Sequence, residues 1–189
     1  ERVVDQVLAN KRRRDQADRQ RKTIRKTFMT NVDNLNHRVK KFVDCRSKDV
    51  TRRELYIVEG DSALGSVKLG RDAEFQAVIP IRGKILNCLK SSLNEVLKID
   101  IIMDLVKVLG CGMEIETKGG KETFDLDQLR WSKVIICTDA DVDGFQIRTL
   151  ILTMFYRLMP TLIRENKVFI AESPLYELTY KNGRETHTY

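Results

Sequence analysis

The spacing of apolar and polar residues divides residues 54–178 into alternating strands and helices. Short apolar runs bounded by Gly, Pro or charged residues predict strands, and longer amphipathic stretches predict helices. This alternation is typical of an α/β fold in which a largely parallel sheet is flanked by helices. The predicted strands cover residues 55–58, 76–81, 133–138 and 167–171, and the predicted helices cover 62–69, 92–109 and 146–159.

Local signals set the expected ends of several elements. Ser92 and Glu95 have the spacing of a capping box, and Gly110 is placed to end the helix that begins there. Pro160 is expected to stop the last helix. An Asn-Gly pair within 181–184 predicts a tight hairpin.

The first 42 residues follow a different pattern. They contain no Gly or Pro, alternate charges densely and carry few apolar residues, which predicts a mostly helical arm. Residues 43–53 are predicted to be a polar linker. Because the sequence opens on Glu1 rather than Met, we expect a piece of a larger protein. Its expected parts are a basic helical arm and linker over 1–50, an α/β domain over 51–178, and a truncated hairpin segment over 179–189.

The net charge of +7 is concentrated in the arm. Residues 1–50 hold 15 Lys and Arg against 7 Asp and Glu, whereas residues 51–189 hold 19 against 20. A basic arm favours a polyanionic partner such as nucleic acid. Composition alone, however, fits a solvated helix face at least as well.

Composition also excludes several classes of protein. None of the four cysteines is paired at CxxC spacing, which argues against a zinc or redox motif, and free thiols fit a reducing cytosol. No apolar run reaches the roughly 18 residues of a membrane span, and no signal peptide precedes the basic start. Both histidines, His37 and His187, are expected to be surface residues. We therefore expect a cytoplasmic protein without a membrane partner.

Acidic residues follow two of the predicted strands. Glu59 comes directly after the first strand, and Asp139, Asp141 and Asp143 come after the third. Parallel strands end at the same edge of a sheet, so neighbouring strands would bring these acids together. Four adjacent carboxylates repel one another, and a hard cation such as Mg²⁺ relieves the repulsion through oxygen ligands. The pattern therefore predicts a divalent-metal site, with a solvated, helix-capping cluster as the alternative.

Other sites with acidic or glycine-rich loops fit less well. The run from Asp139 begins like an EF-hand loop, but Leu150 stands where the loop needs an acid, and a strand precedes it instead of a helix. Gly60 and Gly65 have P-loop spacing without the Lys-Ser/Thr that must follow. A phosphoacceptor site would leave Glu59 unexplained.

A basic segment follows the second strand. Arg82 and Lys84 bracket Gly83, which lets the backbone approach a ligand closely, and Lys68 lies upstream. Cations beside a metal site suit phosphate chemistry, because they hold the phosphodiester backbone and offset developing charge. Taken alone, the segment fits a solvated loop equally well.

Three segments in order resemble the Toprim domain of type IIA DNA topoisomerases. They read LYIVEGDSA, PIRGKILN and TDADVDG, at residues 55–63, 80–87 and 138–144, and Pro174-Leu175-Tyr176 adds to the likeness. Residues 109–112 and 155–160 resemble the B subunit of bacterial DNA gyrase more than its topoisomerase IV counterpart. The resemblance implies a Toprim, Rossmann-like sheet.

The resemblance also implies roles for single residues. Glu59 would be the catalytic acid at a first metal site, Asp139 would bridge the first and second Mg²⁺ sites, Asp141 would bind the second, and Asp143 would support them. Mn²⁺ or Ca²⁺ would substitute for Mg²⁺. The residues expected to contact DNA are Lys68, Arg82, Lys84 and Asn87.

Further expectations concern the assembly. The resemblance implies an ATP-dependent topoisomerase that cleaves and religates both strands of double-stranded DNA. A gyrase A-like partner would supply the nucleophilic tyrosine in an A2B2 heterotetramer, and ATP would bind a domain that this chain lacks. We do not expect the chain to be active alone.

Two departures from the family pattern leave alternatives open. Leu64 stands where a glycine is common, and Gln146 where a histidine is common. The alternatives are the B subunit of topoisomerase IV, another Toprim enzyme such as a primase or nuclease, and a non-catalytic DNA-binding module. Supercoiling and decatenation are not distinguished by these residues.

Overall fold

The computed structural model of the chain describes residues 6, 8–15, 39–114 and 124–174, together with the backbone of 176–179 and 185–188. Residues 8–15 are helical, in agreement with the predicted arm. The other residues of the arm, and the predicted turn within 181–184, lie outside the described residues. None of the described helices is long and apolar enough to cross a membrane.

A four-stranded parallel sheet forms the centre of the fold, which confirms the predicted α/β class. One of its two inner strands, β1 (Glu54–Glu59), is buried on both faces, with Leu55, Ile57 and Val58 all at most 1% exposed. Burial on both faces explains why this strand reads as a continuous apolar run. The strands are β1 (Glu54–Glu59), β2 (Gln76–Ile81), β3 (Lys133–Cys137) and β4 (Val168–Ile170), in the order β2-β1-β3-β4.

Five helices are described between the first and the fourth strand, with one turn of 3-10 helix at Leu126–Gln128. The apolar sides of the third and fourth helices join the strands in one hydrophobic core, to which Leu105 and Phe155 contribute fully buried side chains. The helices are α1 (Gly60–Gly70), α2 (Leu93–Val96), α3 (Asp100–Leu109), α4 (Val142–Leu158) and α5 (Pro160–Arg164).

The single helix predicted over 92–109 is wrong, because the structure divides it into α2 and α3. Both halves of the capping box between Ser92 and Glu95 are present, and Gly110 ends α3 with a φ of 84°. Between the two helices, Leu97 and Ile99 both pack against the core. The backbone of Ile99 is extended, with a φ of −84° and a ψ of 109°, so the helical path is interrupted directly before α3.

The prediction that Pro160 ends a helix is only half correct. α4 does end at Leu158, but Pro160 is the first residue of α5. Proline is tolerated there because the first turn of a helix does not use its backbone N–H.

The segment predicted as a polar linker is attached to the free edge of β2. Val43 forms an antiparallel bridge with Val78, with an N–H···O hydrogen bond of 2.9 Å in each direction. Just before it, the ring of Phe42 stands edge-on to the buried ring of Trp131, with 6.2 Å between the ring centres. The polar composition of residues 43–53 conceals these contacts, because the backbone makes the bridge.

A separate antiparallel hairpin follows the sheet. It consists of β5 (Tyr176–Thr179) and β6 (Glu185–Thr188). Thr179 lies opposite Glu185, whereas the two-residue turn predicted from Asn-Gly would place it opposite Thr186.

Candidate metal centre and nucleic-acid interface

The sheet topology places Glu59 beside the acidic loop. β1 and β3 are neighbours, and Val58 is opposite Cys137, so Glu59 is next to the residues that follow β3. The backbone N–H of Asp139 donates a hydrogen bond to the Glu59 carboxylate. The second oxygen of that carboxylate, Oε2, is buried and has no hydrogen-bond partner among the described residues.

The surroundings of Glu59 disfavour its charged form. Burial raises the pKa of Glu59 above its ordinary value, and the negative charges of Asp139, Asp141 and Asp143 raise it further, while the hydrogen bond from the Asp139 backbone opposes the shift. A carboxylate with one oxygen desolvated beside like charges is a group that a bound cation would stabilise.

This shift predicts a pH dependence in the presence of a chelator. A carboxyl group whose pKa is raised by folding costs no stability at low pH, and its penalty appears as the pH rises from the unfolded-state pKa through the folded-state pKa. We therefore expect Glu59→Gln to raise the free energy of unfolding at pH 7, because it removes a charge that burial and three neighbouring carboxylates disfavour.

Urea unfolding in EDTA, compared at pH 7 and pH 3.5, measures this effect. The increase in the free energy of unfolding caused by Glu59→Gln should be smaller at pH 3.5 than at pH 7. Glu74→Gln, which replaces an exposed carboxylate, should cause no comparable increase. A Glu59→Gln variant that is less stable than wild type at pH 7 would contradict the burial penalty.

Asp141 and Gly144 shape the loop that carries the acids. Asp141 is the N-cap of α4, and its side chain accepts a hydrogen bond of 2.7 Å from the backbone N–H of Gly144. A Cβ on Gly144 would overlap the carbonyl oxygen of Asp139 and lie 2.9 Å from its carbonyl carbon. The glycine therefore allows the start of α4 to pack directly on the backbone of a candidate ligand.

Five acidic residues lie at this edge of the sheet, and among the described residues only Asp61 and Asp143 form ion pairs with basic side chains. Lys84 forms an ion pair of 2.9 Å with Asp143. Arg82 and Lys41 both pair with Asp61, at 2.5 and 2.6 Å. Within the part of the chain that the structure describes, the remaining three acids have no ion-pair partner; they are Glu59, Asp139 and Asp141.

Comparison with known proteins matches this architecture to one family. Residues 54–174 match the Toprim domain family, and this range runs from the first residue of β1 to beyond the end of β4. The chain belongs to the Toprim domain family. The four-stranded parallel sheet flanked by helices agrees with that assignment.

Relatives of this Toprim chain are B subunits of DNA gyrase. The chain is 44% identical to the gyrase protein of Helicobacter pylori over 182 residues, which are 96% of this chain and 22% of the relative. It is 45% identical to that of Clostridium acetobutylicum over 99% of the chain and 28% of the relative. The Thermotoga maritima protein is 45% identical over 97% of the chain and 27% of the relative.

The chain thus spans about a quarter of the length of the curated relatives it matches. A match over 99% of this chain includes nearly all of residues 1–50. The similarity therefore extends into the basic arm, which the residue motifs alone left unassigned.

The Toprim site has the donors for a hard cation but no preformed cage. Among the described residues, no three His, Cys, Asp or Glu side chains stand together in a group that could hold a metal ion. Mg²⁺ usually keeps several waters and takes only one or two carboxylates together with substrate phosphates, so a complete cage is not required. The buried, unpartnered oxygen of Glu59 and the unpaired acids of the β3–α4 loop fit such an ion.

Not every predicted contact residue lies at this edge. Lys68 is in the last turn of α1, whereas Glu59 precedes the first, so about 13 Å of helix separates them. The side-chain oxygen of Asn87 accepts a hydrogen bond of 3.1 Å from the backbone N–H of Leu89 and so fixes the turn after Lys84. Arg82 and Lys84 lie beside the acids, as described above.

The residue motifs missed two charged side chains at the site. Asp61 lies in the first turn of α1, two residues after Glu59, and its position beside that acid was the available signal. Lys41 lies 20 residues before Asp61, in a segment with no motif, so only the folded structure shows their contact.

Proposed function

We propose that this Toprim domain is the metal-binding part of an ATP-dependent type II DNA topoisomerase of the gyrase B kind. The observation that carries the proposal is that, among the described residues, some acids at the sheet edge form ion pairs and others do not. Glu59, Asp139 and Asp141 are left without basic partners in the described part of the chain, while the cations that neutralise Asp61 and Asp143 flank them. Unpaired carboxylates beside exposed cations suit a site that binds metal and phosphate together.

In this proposal Glu59, Asp139 and Asp141 hold Mg²⁺ at two sites, with Mn²⁺ or Ca²⁺ as substitutes. The metal would neutralise charge on the phosphate and stabilise the leaving 3′ oxygen. Arg82 and Lys84 would bind the DNA backbone, exchanging their carboxylate partners for phosphate oxygens. Both side chains are more than half exposed, so they can reach such a ligand.

The nucleophile would come from a gyrase A-like partner, within an A2B2 assembly in the cytoplasm. Tyr56, which lies in β1, is itself unsuited to that role. Its hydroxyl donates a hydrogen bond of 3.2 Å to Glu54, and burial together with that carboxylate raises the pKa of Tyr56 to about 12. A hydroxyl held in this way is a poor source of an attacking phenolate.

Substitution of Asp141 separates metal binding from helix capping. Asn is as good an N-cap as Asp, so Asp141→Asn should change the free energy of unfolding by less than about 0.5 kcal/mol, whereas Asp141→Ala should lower it by about 1 kcal/mol. Both variants lose the charge, and each should lower Mg²⁺-dependent DNA cleavage on the order of 100-fold when the full-length protein is paired with its partner. Cleavage by Asp141→Asn at the wild-type rate would exclude Asp141 as a ligand.

A further inference from the structure

Lys41 has an unusual backbone conformation. Its φ of 62° lies in the left-handed region, which glycine and asparagine adopt far more readily than lysine. The residues that follow hold this conformation in place, because Phe42 packs against Trp131 and Val43 bridges to Val78. Lys41 is thus set at a fixed point where the N-terminal segment joins the domain.

The side chain of Lys41 reaches the acidic edge. Its Nζ lies 2.6 Å from Oδ2 of Asp61, and the same oxygen lies 2.5 Å from Nη2 of Arg82. One carboxylate therefore holds two cations close together, and the trio keeps a net charge of +1. Lys41 is 43% and Arg82 61% exposed, so both retain N–H donors that face solvent.

An ion pair alone does not account for this arrangement. Exposed ion pairs add little to stability, because water and salt screen them and both side chains lose freedom. A non-glycine residue in the left-handed region destabilises the fold by at least as much as an exposed ion pair stabilises it. Backbone strain that is not offset by a stabilising contact is typical of a residue positioned for binding.

We propose that Lys41 is a further DNA-binding residue of this site, one that contacts a backbone phosphate next to the phosphate bound by Arg82. Asp61 acts as the positioning residue, since it holds the two cations at the spacing seen here. The proposal deepens the function proposed above and rests on it. It assigns a direct contact with the substrate to the N-terminal segment.

Two neighbouring lysines provide a matched test in the full-length protein with its partner. Lys41→Asn removes the cation but suits a left-handed backbone, and Lys40→Asn removes the same charge from an exposed residue without an ion pair in the described part of the chain. The affinity for a DNA duplex is measured in EDTA at several salt concentrations. Lys41→Asn should weaken binding by about 5–10-fold and reduce the salt slope by about 1, with an unchanged or higher melting temperature.

Lys40→Asn should leave affinity and salt slope near wild type, and Lys41→Arg should retain most of the affinity. Equal losses from Lys40→Asn and Lys41→Asn would overturn the proposal in favour of diffuse electrostatic attraction. A lower melting temperature with unchanged DNA affinity would assign Lys41 a structural role and would also overturn it. Wild-type protein that shows no salt-dependent DNA binding would overturn the proposed function as well, so the two failures are distinguishable.

Discussion

Glu59→Gln should lower Mg²⁺-dependent DNA cleavage by at least about 100-fold when the full-length protein is paired with its partner. The substitution keeps the size of the side chain and removes the charge that would bind the metal. Glu59 is the candidate ligand with a desolvated oxygen that no described group satisfies, so its loss should have the largest catalytic effect. The rate of covalent complex formation at saturating Mg²⁺ measures it.

Measuring the stability of Glu59→Gln shows whether lower cleavage comes from a changed site or from an unfolded protein. Because Glu59→Gln is expected to stabilise the metal-free protein at pH 7, lower cleavage combined with equal or greater stability points to the site itself. Glu74→Gln, an exposed acid in the turn before β2, is the matched control and should cleave normally. Cleavage by Glu59→Gln within about threefold of wild type would remove Glu59 from the site.

Gly144→Ala should destabilise the domain by about 3 kcal/mol, a large effect for one methyl group. The added Cβ would overlap the carbonyl oxygen of Asp139. Neither atom can rotate away, because the oxygen belongs to the backbone and the backbone fixes the position of the Cβ. Relief requires the start of α4 to move away from the acidic loop, which also displaces Asp139 and Asp141. Urea unfolding of the metal-free chain measures the loss.

Gly65→Ala is the matched control for this steric argument. Gly65 lies within α1, and a Cβ there meets no atom within 4 Å. Alanine favours a helix over glycine, so Gly65→Ala should raise the free energy of unfolding by about 0.5–1 kcal/mol. If Gly144→Ala were as stable as wild type, the close packing of α4 on Asp139 would be wrong.

Much of the fold can be predicted from the sequence because the strands are short and two of them, β1 and β2, are buried on both faces. Burial leaves continuous apolar runs, and the residue at the end of each run falls at the edge where a site forms. That logic finds Glu59 and Asp139 without knowledge of the pairing. The sheet topology, in which β1 and β3 are neighbours, then brings the two residues together.

Features that depend on distant contacts were not predictable in this way. The break between α2 and α3 lies at Ile99, whose backbone is extended, and an amphipathic pattern does not show where a chain leaves the helical conformation. The attachment of Val43 to the edge of β2 is made by backbone groups, which carry no sequence signal. Lys41 reaches Asp61 only because that attachment sets its position.

Contacts between residues that are distant in sequence also explain why, within the described ranges, some acids of the site have basic partners and others do not. Spacing along the chain groups Asp143 with Asp139 and Asp141, but in the folded protein Asp143 pairs with Lys84. Opposite charges that are distant in sequence neutralise part of the acidic edge and leave the remainder for a cation. The supporting role of Asp143 stays a prediction.

Direct localisation of a bound cation tests the proposed metal site most simply. Mn²⁺ takes the same oxygen ligands as Mg²⁺, and its unpaired electrons broaden the NMR signals of nearby amides. We expect substoichiometric Mn²⁺ to broaden the amide signals of Gly60 and of residues 138–141 first and that of Lys68 much less, because the broadening falls steeply with distance. This effect should be lost in Glu59→Gln. Broadening centred on other acids such as Asp72, or unchanged by Glu59→Gln, would contradict a metal site at the ends of β1 and β3.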